Sequence, residues 1–192
     1  MSMKQGKRIL IQAEEIQRTI TRMAHEILER NGGVEELTLI GIRSRGAHLV
    51  RRIARKIETV SGVMPAVGII DITPYRDDAA RREAPSDSAS EKMAISVEEK
   101  TVVLVDDVIY TGRTIRAALD LLSRLGRPKR TLVAILVDRG ERELPIKADI
   151  VGKNVQVDDS ERVNVLLQEA DGTDQVTVTN SKSPASRSRP AD

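Results

Sequence analysis

Residues 101–120 read TVVLVDDVIYTGRTIRAALD, and this stretch constrains the fold more than any other. Val102, Val103, Leu104 and Val105 form a continuous apolar run, typical of a strand buried on both faces. Such a strand belongs in a parallel sheet with helices on either side. Asp106 and Asp107 follow at its carboxyl end, where ligands bind in open α/β sheets. The loop Tyr110-Thr111-Gly112-Arg113-Thr114 then presents backbone N–H groups and two threonine hydroxyls at a helix N-terminus, an arrangement that suits a phosphate. Carboxylates suit sugar hydroxyls or a divalent cation. The combination points to a phosphorylated sugar, its ring held by the acids and its phosphate by the loop.

The rest of the chain supports this reading. Apolar runs alternate with helical periods, which predicts a parallel α/β sheet. Ile16, Ile20, Met23 and Ile27 recur at helical spacing, so residues 13–30 should form an amphipathic helix, ended by Asn31-Gly32-Gly33. Residues 37–42 are the first core strand. Leu49, Ile53, Ile57 and Val60 mark a second helix, closing near Gly62. Strands are expected over residues 67–73, 131–137 and 149–152, with a terminal hairpin from 163–167 and 175–178. Residues 76–97 are rich in charge, Ala and Ser, with Pro85 inside. They suit a long flexible loop, and the position beside the acid-bearing strand suits an active-site lid. The expected organisation is one domain over residues 1–180 and a disordered tail over 181–192, which is polar and rich in Pro and Ser.

Composition excludes several classes. Phe and Trp are absent and Tyr75 and Tyr110 are the only aromatics. The core must be aliphatic, and RNA recognition on an aromatic stacking platform is excluded. With no cysteine, disulfides and thiolate metal sites are excluded. The N-terminus lacks a signal-peptide apolar region and no run is long enough to span a bilayer, so a cytoplasmic location without membrane contact is expected. The formal net charge is only +2, so affinity for nucleic acid must come from a local patch.

An apolar run ending in Asp-Asp also occurs in nucleotide hydrolases, but those need a G-x-x-x-x-G-K-[ST] loop, and this chain has none. No G-x-G-x-x-G follows a strand either. A second loop, Ser44-Arg45-Gly46, lies at the carboxyl end of the first core strand. Arg45 there opposes the dipole of the helix it begins, so some other requirement should place it.

The string VVLVDDVIYTGRT resembles the PRPP-binding signature of type I phosphoribosyltransferases. Further segments resemble one family within that class, the PyrR pyrimidine-operon attenuators that are also uracil phosphoribosyltransferases. These are ITRMAHEILERN, IGIRSRG, IDITPYRDD and LVDRGERELPIKADIVGKN. Together they extend the resemblance over residues 8–180. It implies an α/β fold with a central, mostly parallel sheet flanked by helices, a small hood and a long flexible loop. The implied reaction joins N1 of uracil to C1 of PRPP, giving UMP and pyrophosphate, with Mg²⁺ as cofactor. A phosphoribosyltransferase for another base, and an RNA-binding regulator with weak catalysis, are the alternatives.

The resemblance also assigns roles. Asp106 and Asp107 would hold the ribose hydroxyls, directly or through Mg²⁺ and water. Val108, Ile109, Tyr110, Thr111, Gly112, Arg113 and Thr114 would hold the 5′-phosphate side of PRPP. Ser44, Arg45 and Gly46 would meet its pyrophosphate, with Arg76 closing over it from the long loop. Val137, Asp138 and Arg139 would seat the base, chiefly through backbone groups. No general base stands out, and a late attack by uracil N1 needs none.

PyrR proteins also bind a stem-loop of pyrimidine-operon (pyr) mRNA when UMP or UTP is bound. On the first helix, the ~100° step per residue brings Arg18, Thr21, Arg22 and His25 outward together. Thr21, Arg22, His25 and Arg30 match RNA-contact positions of the family, as do Arg142, Lys147 and Lys153. Glu141 departs from the family's histidine, and Asp158 and Asp159 add acid where the family carries less. Assembly as a homodimer or homotetramer is implied as well.

Overall fold

The computed structural model describes residues 7–73 and 96–180. Its centre is a five-stranded sheet, entirely parallel, in the order β3-β2-β4-β5-β6. The strands are β2 (Leu37–Ile42), β3 (Ala66–Ile70), β4 (Thr101–Ile109), β5 (Arg130–Asp138) and β6 (Ile150–Asn154). Helices α1 (Ala13–Asn31) and α2 (Gly46–Ser61) cover one face, and α3 (Arg113–Leu125) covers the other. Both faces are therefore apolar. Val103 and Val105 of β4 pack with Ile20, Ile27 and Ile53. Val102 and Leu104 pack with Ile115, Leu121 and Leu122. This is the burial expected of a continuous aliphatic strand.

The helices form where the sequence places their apolar stripes. The α1 stripe buries Ile16, Ile20, Met23, Ala24 and Ile27, and the helix ends at Gly32 in the left-handed conformation. It also lies very close to the sheet. A Cβ on Gly152 would strike the Leu136 carbonyl oxygen, and would lie 2.7 Å from Thr19 Cγ2.

A second, three-stranded antiparallel sheet, the hood, has the order β1-β8-β7. It comprises β1 (Arg8–Ile11), β7 (Glu161–Leu166) and β8 (Gln175–Asn180), with a single-turn helix α4 (Gln168–Asp171) between the last two. The terminal hairpin matches expectation. Strand β1 and helix α4 were not predicted, because β1 finds its partner only across the whole chain, at Arg8↔Val178.

Two of the strand ends that differ from the sequence reading lie beside the crevice. Strand β3 stops at Ile70, where the Asp71 carboxylate accepts the Thr73 N–H at 3.0 Å in a local turn. Strand β4 continues past the acid pair to Ile109. Its ladder with β5 runs to Ile109↔Asp138, whereas its ladder with β2 ends at Gly41↔Val105. Asp106 and Asp107 are therefore supported on one side and open on the other. The opening lies where β2 leads to α2 and β3 in one direction, and β4 leads to α3 and β5 in the other. Such a divergence is where open α/β sheets form their ligand crevice.

Candidate active site

A cavity of about 740 Å³ occupies this crevice. Of the residues predicted from sequence, it brings together Ser44, Arg45, Asp106, Asp107, Val108, Tyr110, Thr114 and Arg139. Two helix N-termini flank it. The N-caps Arg45 of α2 and Gly112 of α3 make no side-chain capping hydrogen bond, and neither helix carries an acid in its first turn. By contrast, α1 has Glu14 and Glu15 there. N–H groups at a helix start have no intrahelical acceptor, so both ends favour anions.

Close backbone packing ties the two loops together. Gly46 lies against β4, and a Cβ there would sit 2.6 Å from the Val105 carbonyl oxygen and 3.3 Å from Asp106 Oδ1. Only glycine permits that approach. The adjoining Arg43–Ser44 peptide is cis. In the second loop, Gly112 has φ +92°, as a turn from strand into helix requires.

The acids sit in different surroundings. Asp106 is buried, and its Oδ1 accepts the Asp107 N–H at 2.9 Å. Asp107 Oδ1 accepts the Val108 N–H at 2.9 Å. Burial pushes the Asp107 carboxyl above its ordinary range, against the opposing pull of Asp106, the Val108 N–H and the Arg45 charge. A carboxylate short of water gains from a bound cation. Among the described residues no three His, Cys, Asp or Glu side chains cluster to hold a metal. A hard divalent ion held by the pair would have to take most of its oxygens from substrate.

Other predicted residues form the frame. Ile109 and Val137 are buried in the core, and Val137 pairs in the sheet with both Val108 and Lys153. Asp138 accepts the Gly140 N–H at 2.8 Å and Arg142 Nη2 at 2.6 Å. The Thr111 carbonyl accepts N–H groups from Glu143 and Leu144, each at 3.1 Å, and Arg113 Nε donates to Glu143 at 2.8 Å. The Tyr110–Thr114 loop is thus braced by the loop that follows β5. Arg139 is buried under that loop. It lies 3.9 Å over the Tyr110 ring and donates to the Glu161 carbonyl and to Glu141, both at 3.0 Å. Its buried Nε has no hydrogen-bond partner among the described residues. Arg76, and most of the loop predicted over residues 76–97, lie outside the described residues, as does the tail over 181–192.

Sequence reasoning missed the wall supplied by the hood. Arg162, Asn164, Thr177 and Thr179 line the cavity. They are cross-strand partners, Arg162↔Thr179 and Asn164↔Thr177. The signal was present as alternation, polar at these positions and apolar at Val163, Val165, Val176 and Val178. Lys7 and Arg43 add further positive charge.

Away from the cavity, the predicted RNA-contact residues divide. Arg18, Arg22, His25, Arg30, Lys147 and Lys153 are exposed, and Thr21 is half-buried. Arg22 donates to the Val151 and Gly152 carbonyls at 2.8 and 2.7 Å, joining the α1 stripe to the strand that carries Lys153. Arg142 differs. It donates to the carbonyls of Tyr110, Gly140 and Ile146 as well as to Asp138, so it serves as an internal brace. Glu141 turns toward Arg139.

The phosphoribosyl transferase domain model matches residues 9–169. Two proteins named bifunctional protein PyrR show high identity. The one from Chloroflexus aurantiacus is 53% identical over 88% of this chain and 93% of its own length. The one from Clostridioides difficile is 51% identical over 88% of this chain and 96% of its own. A solved hypoxanthine phosphoribosyltransferase of Trypanosoma cruzi shares the fold, with TM-score 0.67 at 20% identity, covering 91% of this chain and 97% of that one. The chain therefore belongs to the PyrR family of phosphoribosyl transferase domain proteins.

Proposed function

We propose that the chain transfers the 5-phosphoribosyl group of PRPP to N1 of uracil, forming UMP and pyrophosphate. The observation that carries this is the meeting, in one cavity, of an acid pair and two helix N-termini whose N-cap residues make no side-chain hydrogen bond. The α3 N-terminus, with Thr111 and Thr114, takes the 5′-phosphate. Ser44, Arg45 and the α2 N-terminus take the pyrophosphate. Asp106 and Asp107 hold the ribose hydroxyls and oppose the positive charge that develops on the ring as the C1–O bond breaks. Mg²⁺, held by the acid pair and substrate oxygens, would supply charge neutralisation at the leaving pyrophosphate. The C1–N1 bond then forms as pyrophosphate leaves, and the N1 proton passes to a pyrophosphate oxygen or to water. Arg139, on the cavity wall over the Tyr110 ring, marks the side where the base would sit. The hood wall excludes water from the oxocarbenium-like centre.

A second activity is binding of a pyr mRNA stem-loop. It is supported by the exposed stripe of Arg18, Arg22, His25 and Arg30 on α1, continuous with Lys153 on β6. The direct test incubates the chain with PRPP, Mg²⁺ and single bases and follows pyrophosphate release. Release with uracil and not with hypoxanthine or orotate is expected. Release with a purine alone would refute the assignment.

A further inference from the structure

We propose that Asp171 is a positioning residue that aims Arg45 at the pyrophosphate of PRPP, an inference that rests on the transferase reading above. Arg45 lines the cavity, but Asp171 does not. The carboxylate reaches the guanidinium from the hood, with Nη2 to Oδ1 at 2.8 Å and Nε to Oδ2 at 3.2 Å. A two-point grip of this kind fixes the guanidinium plane. It engages one edge and leaves Nη1, which makes no hydrogen bond among the described residues, for an anion. An arginine held this way loses little rotamer freedom when substrate arrives.

Asp171 is itself fixed. Its Oδ2 accepts the Leu167 N–H at 2.9 Å. The segment around it is pinned to α2 by Arg52, which donates to Glu169 and Asp174. Arg45 and Arg52 are seven residues apart and so share one face of the helix. Asp171 also resolves an electrostatic conflict. A cation at a helix start opposes the dipole, the first turn of α2 has no acid, and the hood supplies one from across the crevice. A pair needed only for that purpose would affect stability alone. A positioning pair must also affect PRPP.

The test uses the full chain with PRPP, Mg²⁺ and uracil, and compares Asp171→Asn with Asp174→Asn, which breaks the neighbouring Arg52 contact in the same segment. Asp171→Asn should raise KM for PRPP about fivefold or more while KM for uracil stays within about twofold. Asp174→Asn should lower the thermal midpoint and leave KM for PRPP unchanged. Calorimetry with inorganic pyrophosphate gives a second readout. Asp171→Asn should weaken its binding in the native background and have no further effect in Arg45→Ala. The proposal is overturned by an unchanged KM for PRPP, by equal shifts in both variants, or by an effect that persists without Arg45. A wild-type chain that forms no UMP would refute the transferase reading instead, while the pyrophosphate cycle would still report on the Asp171–Arg45 coupling.

Discussion

Gly46 and Asp107 show how little room the site leaves at single residues. A methyl group at Gly46 would meet the backbone of β4 rather than a side chain that could move away, so the Ser44–Gly46 loop must retreat from the acids. Displacement of a substrate-holding loop by about 1 Å costs about 10²-fold in rate, and Gly46→Ala should show a loss of that order in initial velocity. Asp107 is held at a cost to stability. Burial raises its carboxyl in the folded state, so its favourable contribution exists below the unfolded value and is lost as pH rises through the folded one. At neutral pH the native protein carries that penalty. Asp107→Asn keeps the oxygen that accepts the Val108 N–H and removes the charge. It should therefore raise the thermal midpoint at pH 7, and that gain should vanish below pH about 4. Activity should fall at least about tenfold, about 1.4 kcal/mol in barrier. A variant with wild-type velocity would remove Asp107 from the chemistry.

At the scale of elements, the hood is docked to α2 through charge. Arg52 is largely buried between Asp174 and Glu169. Hydrogen bonds from Arg52 hold both carboxyls below their ordinary range, and Arg45 does the same for Asp171. Depressed values mean that this stabilisation is present above about pH 4 and is lost as pH falls through the folded values. Removing Arg52 leaves Asp174 short of its cation in a mostly enclosed place, while Glu169 returns to solvent. Arg52→Met should lower the thermal midpoint at pH 7 and flatten its decline on acidification, and an unchanged acid profile would refute the docking role. This network was not legible in the sequence, because its partners lie more than a hundred residues apart. The strand, the acid pair at its end and the turn into α3 over residues 101–120 were legible because each signal is local. The α1 and α2 stripes were legible for the same reason. The hood hairpin could be read as strands, but its placement over the cavity depends on β1 pairing with β8, a contact that no local pattern encodes.

Across the whole molecule, the loop from β5 to β6 joins two surfaces. It begins at Arg139 on the cavity wall and leads to the strand whose carbonyls receive Arg22 from α1. With Arg142 turned inward, the cations left on the outer face are Arg18, Arg22, Arg30, Lys147 and Lys153. Three of these are already engaged by acids, since Glu26 pairs with both Arg22 and Arg30, and Glu15 with Lys153. A phosphate must compete with those acids for each cation, so the salt dependence of RNA binding should be shallower than the number of basic residues suggests. Six to ten full phosphate contacts would lower affinity ~10³–10⁵-fold between 50 and 200 mM salt. Glu26→Gln separates these possibilities, because it releases Arg30 and the Nη1 of Arg22 and removes one repelling charge without altering the apolar face of α1. Filter binding to a pyr leader stem-loop with UMP should show tighter binding and a steeper salt slope for the variant. An unchanged slope would mean that this face of α1 does not meet phosphate.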